Sequence, residues 1–142
     1  MNKKEEKLST VNSQLSIEKV NSQLSAKKNV IQDKSKAFAV RVIRFYKYLC
    51  DEKKEFVLSK QILRSGTSIG ANVRESKNAQ SKADFINKMS IALKEADETA
   101  YWIELLVESE IIKQEQVSDL YEEATEIIKI LTAIVKNSKV NG

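Results

Sequence analysis

Acidic side chains are the groups in this chain whose type and spacing could support metal-dependent chemistry. They form two clusters in the second half of the chain: Glu95, Asp97 and Glu98, then Glu122, Glu123 and Glu126. The second cluster matches the first half of the EExxE…ExxD pattern with which all-α NTP pyrophosphohydrolases bind Mg²⁺, but no ExxD follows it. Because carboxylates clustered on helices usually form solvated faces, the sequence predicts no metal ion and no cofactor.

The chain contains no histidine, and this narrows the enzymatic alternatives further. Without histidine it cannot form an ExxH di-iron site, an HExxH zinc site or a histidine general base. HEPN-type ribonucleases are also helical bundles, but they need an Arg-x4-6-His motif. Neither a P-loop nor a GxGxxG motif occurs. The sequence therefore predicts a non-enzymatic protein without catalytic residues. A Mg²⁺-dependent enzyme is the weakest of three hypotheses, after a nucleic-acid-binding protein and a protein-interaction module.

Basic side chains are concentrated in the first half of the chain. Residues 1–76 contain 16 Lys and Arg against 8 Asp and Glu, a net charge of +8, whereas residues 77–142 contain 8 against 12, a net charge of −4. This polarity indicates either an anionic partner for the first half or self-association between unlike halves, although solvated helix faces would give the same pattern.

Eight cations at helical spacing are the candidate nucleic-acid contacts. They lie on the first two predicted helices of the bundle: Lys36, Arg41, Arg44, Lys47, Lys60, Arg64, Arg74 and Lys77. Such side chains can track phosphates and release counterions. No stacking aromatic residues are interleaved with them, so no strong base specificity is expected. Arg64 and Arg74 have a second possible role, because either could pair with Glu95 or Glu98 across a helix or subunit boundary.

The stretch 61–76, QILRSGTSIGANVRES, combines helical apolar spacing with very small residues. Glycine inside a helix costs about 0.5–1 kcal/mol relative to alanine, so Gly66 and Gly70 indicate that another group approaches the backbone closely. A second helix or a phosphate-bearing partner could be that group. The apolar stripe beside the glycines favours a helix. The third helix offers three small residues for the contact: Ala92, Ala96 and Ala100.

Two neighbouring aromatic residues, Tyr101 and Trp102, lie off the main apolar seam of the third helix. Aromatic residues in such positions suggest a second contact surface. They are grouped with Gly66 and Gly70 as predicted helix-packing or oligomer residues. A tryptophan at the rim of the core and a solvent-exposed tyrosine are an equally simple interpretation.

Composition and apolar spacing predict an all-α fold. Proline is absent and glycine occurs three times, which excludes the turn chemistry of β-rich chains. Apolar residues repeat at steps of three and four in four segments: 33–51, 56–78, 81–108 and 114–137. Ser81 followed by Asp84 is typical of a capping box. Short connections between amphipathic helices predict an antiparallel up-and-down four-helix bundle over residues 31–142.

Residues 1–30 form a polar, low-complexity extension in which VNSQLS occurs twice, at 11–16 and 20–25. A nine-residue offset is about two and a half helical turns, so the two copies would face opposite sides of a helix. We expect the extension to be disordered or transiently helical, with a docked helix as the less favoured alternative. No signal peptide or membrane span is visible, and the lone Cys50 cannot form an internal disulfide, so a cytoplasmic protein without a membrane partner is expected.

Two motifs resemble those of the bacterial four-helix-bundle proteins called 23S rRNA-intervening-sequence proteins, and the likeness covers about Phe38 to Ile134. An RS-x-x-SI-x-x-N-x-x-E pattern is met by Arg64, Ser65, Ser68, Ile69, Asn72 and Glu75. A run like DF-x-x-x-x-x-IA-x-x-E-x-x-E-x-x-x-W is met by Asp84, Phe85, Ile91, Ala92, Glu95, Glu98 and Trp102.

This resemblance implies an antiparallel bundle that assembles into a ring, typically a homopentamer. It also implies a relation to the accessory protein of diversity-generating retroelements, which looks like a basic ring that binds nucleic acid and a reverse transcriptase. The leading hypothesis is thus a homo-oligomeric bundle that binds RNA or DNA through a basic surface. The alternative is a protein-interaction or scaffold module in which basic and acidic helix faces meet, within the assembly or with a protein partner.

Overall fold

Four helices account for nearly all of the part of the chain that the computed structural model describes, residues 3–140, with side chains at 13–26 and 28–140. They are α1 (Lys3–Asp51), α2 (Leu58–Ser76), α3 (Lys82–Glu108) and α4 (Gln114–Val140). α1 packs against α2 and α4, and α3 packs against the same two helices. The predicted all-α class and four-helix arrangement are confirmed.

Contacts between neighbouring helices show that the bundle is antiparallel. Cys50 of α1 lies beside Ser59 of α2, whereas Ser35, further back along α1, lies beside Gly70, further along α2. α4 runs against α1 in the same way. Lys34 pairs with Glu126, and Tyr48 accepts a hydrogen bond from the Gln116 amide (2.9 Å).

Apolar side chains from all four helices form one core along the bundle axis. The predicted stripes supply its fully buried members, including Phe38 and Val42 of α1, Ile69 of α2, Ile103 of α3 and Leu131 of α4. Burying a side chain of this size stabilises the fold by about 1.5–3 kcal/mol. Packing of these stripes, rather than helix propensity, therefore holds the bundle together.

α2 and α3 each begin at a polar side chain that accepts hydrogen bonds from backbone amides of the first turn. The Ser81 hydroxyl accepts from the Asp84 amide (3.0 Å) at the start of α3, as the capping pattern predicts. At the start of α2, the Glu55 carboxylate accepts from the amides of Val57 (3.2 Å), Leu58 (2.9 Å) and Ser59 (2.7 Å). α2 consequently begins at Leu58, two residues later than the expected Phe56, and it ends at Ser76 instead of Asn78.

α1 is a single helix of 49 residues, about 74 Å long at roughly 1.5 Å per residue. It continues through the expected boundary near residue 30, so helix is the state that the structure describes for residues 3–30. Burial changes near this point: Ile31 is fully buried, whereas residues 13–23 are all exposed. We call residues 3–26 the N-terminal arm. The exposed side chains of residues 13–23 show that this part of the arm extends beyond the bundle and is not docked along it.

Candidate nucleic-acid interface

Ion pairs within the chain divide the eight predicted cations into two classes. Arg41 pairs with Glu123 of α4, beside the pair between Lys34 and Glu126 (2.9 Å). Arg64 pairs with two acids of α3, as described below. The other six cations have no acidic partner in the described part of the chain and are exposed: Lys36, Arg44, Lys47, Lys60, Arg74 and Lys77.

Three of the unpaired cations surround one groove between α1 and α2, which we call the basic groove. Lys36 approaches from α1, Arg74 from the last turn of α2 and Lys77 from the residue that follows this helix. The groove has a volume of about 460 Å³, and Asp33 is the acidic residue among its lining side chains. Three exposed cations against one carboxylate leave an excess of positive charge, which favours the phosphates of an extended polyanion.

Small residues of α2 open the floor of the basic groove. Gly70 lies so close to α1 that a Cβ there would be 3.3 Å from the Ser35 carbonyl oxygen. Thr67 and Ala71, on the same side of α2, also line the groove. Because these residues are short, the long stems of Lys36 and Arg74 can lie along the walls while their charged ends stay in water.

The remaining unpaired cations lie outside the basic groove. Arg44 and Lys47 continue the outer face of α1, and Lys60 lies in the first turn of α2. Val40 and Ile43 are about 40% exposed between the α1 cations. The outer face of α1 is therefore a mixed basic and apolar surface rather than a continuous basic stripe.

A family model described as 23S rRNA-intervening sequence protein matches residues 27–133. The chain belongs to this family. Among solved structures, it is similar to a protein of unknown function from the S23 ribosomal protein family of Bacteroides thetaiotaomicron VPI-5482. The two are 61% identical with a TM-score of 0.76, and the match covers 78% of this chain and 98% of that one. A comparison with curated proteins found no match. The relation to retroelement accessory proteins stays a prediction.

Residues of the two 23S rRNA-intervening-sequence motifs join α2 to α3. The Arg64 guanidinium bridges Glu95 (3.2 Å) and Glu98, and the Trp102 indole N–H donates to the same Glu98 carboxylate (3.1 Å). This is the pairing that the sequence left open as an alternative for Arg64. A guanidinium shared between two carboxylates leaves less positive charge for a nucleic acid, so Arg64 is first a bridge between helices.

The motif serine Ser65 makes a second link between these helices inside the core. Its hydroxyl is hydrogen-bonded to the Thr99 hydroxyl (2.8 Å), and both residues are fully buried. The Thr99 hydroxyl also donates to the Glu95 carbonyl (2.7 Å). A buried polar pair whose partners are satisfied specifies the register of the two helices. The serine of the family motif thus contributes to packing.

Gly66 and Gly70 face α1, whereas the sequence suggested the alanines of α3 as their neighbours. A Cβ on Gly66 would lie 2.7 and 2.8 Å from the two γ carbons of Val42, closer than side chains tolerate. Ala92, Ala96 and Ala100 are buried elsewhere in the core. The glycines therefore allow α1 and α2 to pack closely within one chain, and sequence periodicity could not distinguish between the two neighbouring helices.

Tyr101 and Trp102 adopt different environments. Trp102 is half-buried against the core, and Tyr101 is 52% exposed with its ring 5.3 Å from the Trp102 ring. This is the arrangement of a core-rim tryptophan beside a surface tyrosine. Tyr101 is the member of the pair with area left for a contact outside the chain.

The two carboxylate clusters contribute ion pairs to the bundle. Within the described residues, no group of three Asp, Glu or Cys side chains could hold a metal ion. Several of the acids instead hold cations of neighbouring helices, as Glu95 and Glu98 hold Arg64. None of the described helices is long and apolar enough to cross a membrane. Neither the family description nor the solved relative names an enzymatic activity.

Proposed function

We propose that this protein is a non-enzymatic, self-associating helical bundle of the cytoplasm that binds RNA or DNA through phosphate contacts in the basic groove. The observation that carries the proposal is the convergence of Lys36, Arg74 and Lys77 on one groove without acidic partners in the described chain. Arg44, Lys47 and Lys60 extend this surface. Arg41 and Arg64 contribute less, because each is paired with carboxylates of the bundle.

The basic groove is better suited to the repeated phosphates of a nucleic-acid backbone than to a single small anion. The groove is open, its cations are exposed on long side chains, and the other polar residues of its described lining, Gln32, Asp33 and Thr67, are all at least partly exposed. Such a surface suits a backbone whose phosphates recur along its length, and it carries little base information. Repetition of the groove around a homo-oligomer, which the resemblance implies to be a pentameric ring, would strengthen binding through multivalency.

Gel shifts and fluorescence titrations with structured RNA and duplex DNA at several salt concentrations test the proposal. We expect the triple variant Lys36→Gln, Arg74→Gln, Lys77→Gln to bind more weakly. For duplex DNA, the slope of log Kobs against log salt should become shallower by about 2–3, because each lost phosphate contact contributes roughly 0.9.

The matched control neutralises three exposed lysines of α4, Lys129, Lys136 and Lys139, and so makes the same change in net charge. If net charge alone governed binding, the two triple variants would weaken it equally, and the assignment to the basic groove would be wrong. Absence of any shift with wild-type protein at low salt would contradict nucleic-acid binding altogether.

A second candidate function, a protein-interaction or scaffold module, draws on the charge polarity of the chain, +8 over residues 1–76 and −4 over residues 77–142. In this version the basic faces meet acidic helix faces of another copy or of a protein partner. Salt-sensitive self-association without nucleic-acid affinity would favour it over the first candidate.

A further inference from the structure

The N-terminal arm carries an apolar stripe that continues the core stripe of α1. Leu24, Val20 and Ile17 precede the buried Ile31 by about two, three and four helical turns, so all four lie on one face. Leu24 still touches the end of the core, whereas Val20 is 43% exposed and Ile17 is 60% exposed. The second VNSQLS copy therefore aligns with the bundle face, and Val20 in it and Ile17 before it are uncovered.

A groove with an apolar floor and an acidic rim, which we call the acidic groove, lies between α3 and α4. Its floor contains Ile103, Val107 and Val117, and its volume is about 360 Å³. Three glutamates and no basic residue are among its lining side chains: Glu104, Glu108 and Glu122. An apolar floor with an acidic rim is the surface that a cationic amphipathic helix fits.

Charge around the acidic groove is negative enough to affect a neighbouring group. Tyr121, on its wall, donates a hydrogen bond to Glu104 (3.1 Å). Partial burial, this hydrogen bond and the charges of Glu104 and Asp97 together raise the pKa of the Tyr121 hydroxyl. The arm has the opposite sign of charge, with four lysines against three glutamates, a net charge of +1. The two surfaces are complementary in their apolar faces and opposite in the sign of their charge.

The arm cannot reach the acidic groove of its own chain. The arm leaves the bundle where Lys28 lies over the Phe85 ring (4.3 Å), near the start of α3. The groove lies at the other end, where Gln116 meets Tyr48 near the end of α1. Eighteen residues of α3 separate Phe85 from Ile103, about 27 Å at 1.5 Å per residue, and the arm points away along this axis.

We infer that the N-terminal arm of one copy docks in the acidic groove of a second copy, with Ile17 and Val20 on the apolar floor and the exposed Lys19 at the glutamate rim. The inference rests on the proposed self-association and names one of its interfaces. The contact is head-to-tail, since arm and groove are different surfaces, and contacts of this type close into rings or extend into filaments. The family model begins at residue 27, so this interface would be an addition to the shared bundle.

Sedimentation equilibrium of full-length variants tests the inference. Ile17→Glu with Val20→Glu places two carboxylates against the acidic rim, and we expect the dissociation constant for self-association to rise by about tenfold or more. Leu15→Glu with Ser22→Glu is the matched control, because both residues are exposed on the opposite face of the arm. The control variant should assemble as the wild type does.

Crosslinking between two marked copies tests which surfaces meet. In a Cys50→Ser background, one copy carries Val20→Cys and the other Ser118→Cys, a residue that lines the acidic groove. The copies are co-expressed with different tags and treated with a short bis-maleimide. We expect crosslinks between unlike copies, and a marked reduction when Ser22→Cys replaces Val20→Cys.

Three outcomes would overturn the inference and remain distinguishable from failure of the proposed function. Arm-to-arm crosslinks alone would show that arms pair with each other. Unchanged assembly of the Ile17/Val20 variant without arm–groove crosslinks would remove this interface and leave self-association intact. A wild-type protein that is monomeric throughout would contradict self-association as well. Gel shifts report nucleic-acid binding independently of all three.

Discussion

At the scale of single residues, Gly66 allows two helices to pack closely because it has no side chain. Its missing Cβ gives space to Val42, whose γ carbons would otherwise be 2.7 and 2.8 Å away. Valine is branched at Cβ and holds one preferred rotamer in a helix, so Val42 cannot easily turn aside. The close approach of α1 and α2 at this level therefore depends on a glycine and a valine together.

Substitution of Gly66 should destabilise the fold in proportion to the size of the new side chain. Gly66→Ala gains up to about 1 kcal/mol of helix propensity, but we expect the contact with Val42 to outweigh this gain. Gly66→Leu should lower the free energy of unfolding by about 1–3 kcal/mol or more. Urea denaturation followed by circular dichroism measures both changes.

A double-mutant cycle separates this contact from a general effect on α2. Val42→Ala removes both γ carbons, so Gly66→Ala should cost less in that background, with a coupling energy of about 0.5–3 kcal/mol. Additive effects of the two substitutions would mean that the glycine has no packing role against α1. The same cycle with Ala71→Ser, on the exposed side of α2, should show no coupling.

At the scale of elements, the sequence defined helices better than it defined their beginnings or their neighbours. Ser81 and Asp84 start α3 where the capping pattern predicts. Glu55 has no such local signature, and its three hydrogen bonds to backbone amides depend on how the loop folds before α2. The sequence did suggest pairing with Glu95 or Glu98 as a second role for Arg64, beside nucleic-acid binding. Few acidic residues lie at a suitable position on the neighbouring helix, so charge pairing left few candidate partners for Arg64.

Glu55 should make the stability of the fold depend on pH. Partial burial works against its ionisation, but the amides of Leu58, Ser59 and Val57 outweigh this and lower its pKa. Since the folded state favours the carboxylate, the stabilisation is fully present above the ordinary carboxyl pKa and is lost as the pH falls through the lowered one. Glu55→Gln should therefore lower the free energy of unfolding by about 0.5–2 kcal/mol at pH 7.

The difference between wild type and Glu55→Gln should shrink as the pH falls from the ordinary carboxyl pKa through the lowered pKa of Glu55, where the folded wild-type carboxylate takes up its proton. Denaturation at a series of pH values measures this difference. Glu52→Gln is the control, because Glu52 lies exposed in the same loop. An equal loss of stability in both variants, or a Glu55→Gln effect that does not shrink with falling pH, would mean that the carboxylate does not cap α2.

At the scale of the whole molecule, the bundle was predictable, but the surfaces between helices were not. Apolar spacing revealed each core stripe, because the stripe can be read from the sequence of one helix without knowing its neighbours. The basic groove combines Lys36 of α1 with Arg74 and Lys77 at the end of α2, and only the relative register of the two helices brings them together. The two VNSQLS copies face opposite sides of a helix, so the repeat alone did not indicate that Val20 and Leu24 continue the Ile31 stripe of α1.

Mass measurements on purified protein, with and without nuclease treatment, test assembly and nucleic-acid binding together. We expect nuclease-treated protein to have a mass that is a multiple of 16.1 kDa, and a pentamer would give five times this value, about 80 kDa. Untreated protein should carry additional mass and absorbance at 260 nm from bound nucleic acid.

Neutralising Lys36, Arg74 and Lys77 should remove the nucleic acid and leave the protein assembly, because these side chains make no described contact that holds the bundle together. An assembly that falls apart once the nucleic acid is removed would instead mean that nucleic acid holds the subunits together. A monomer without nucleic acid before and after treatment would contradict both parts of the proposed function.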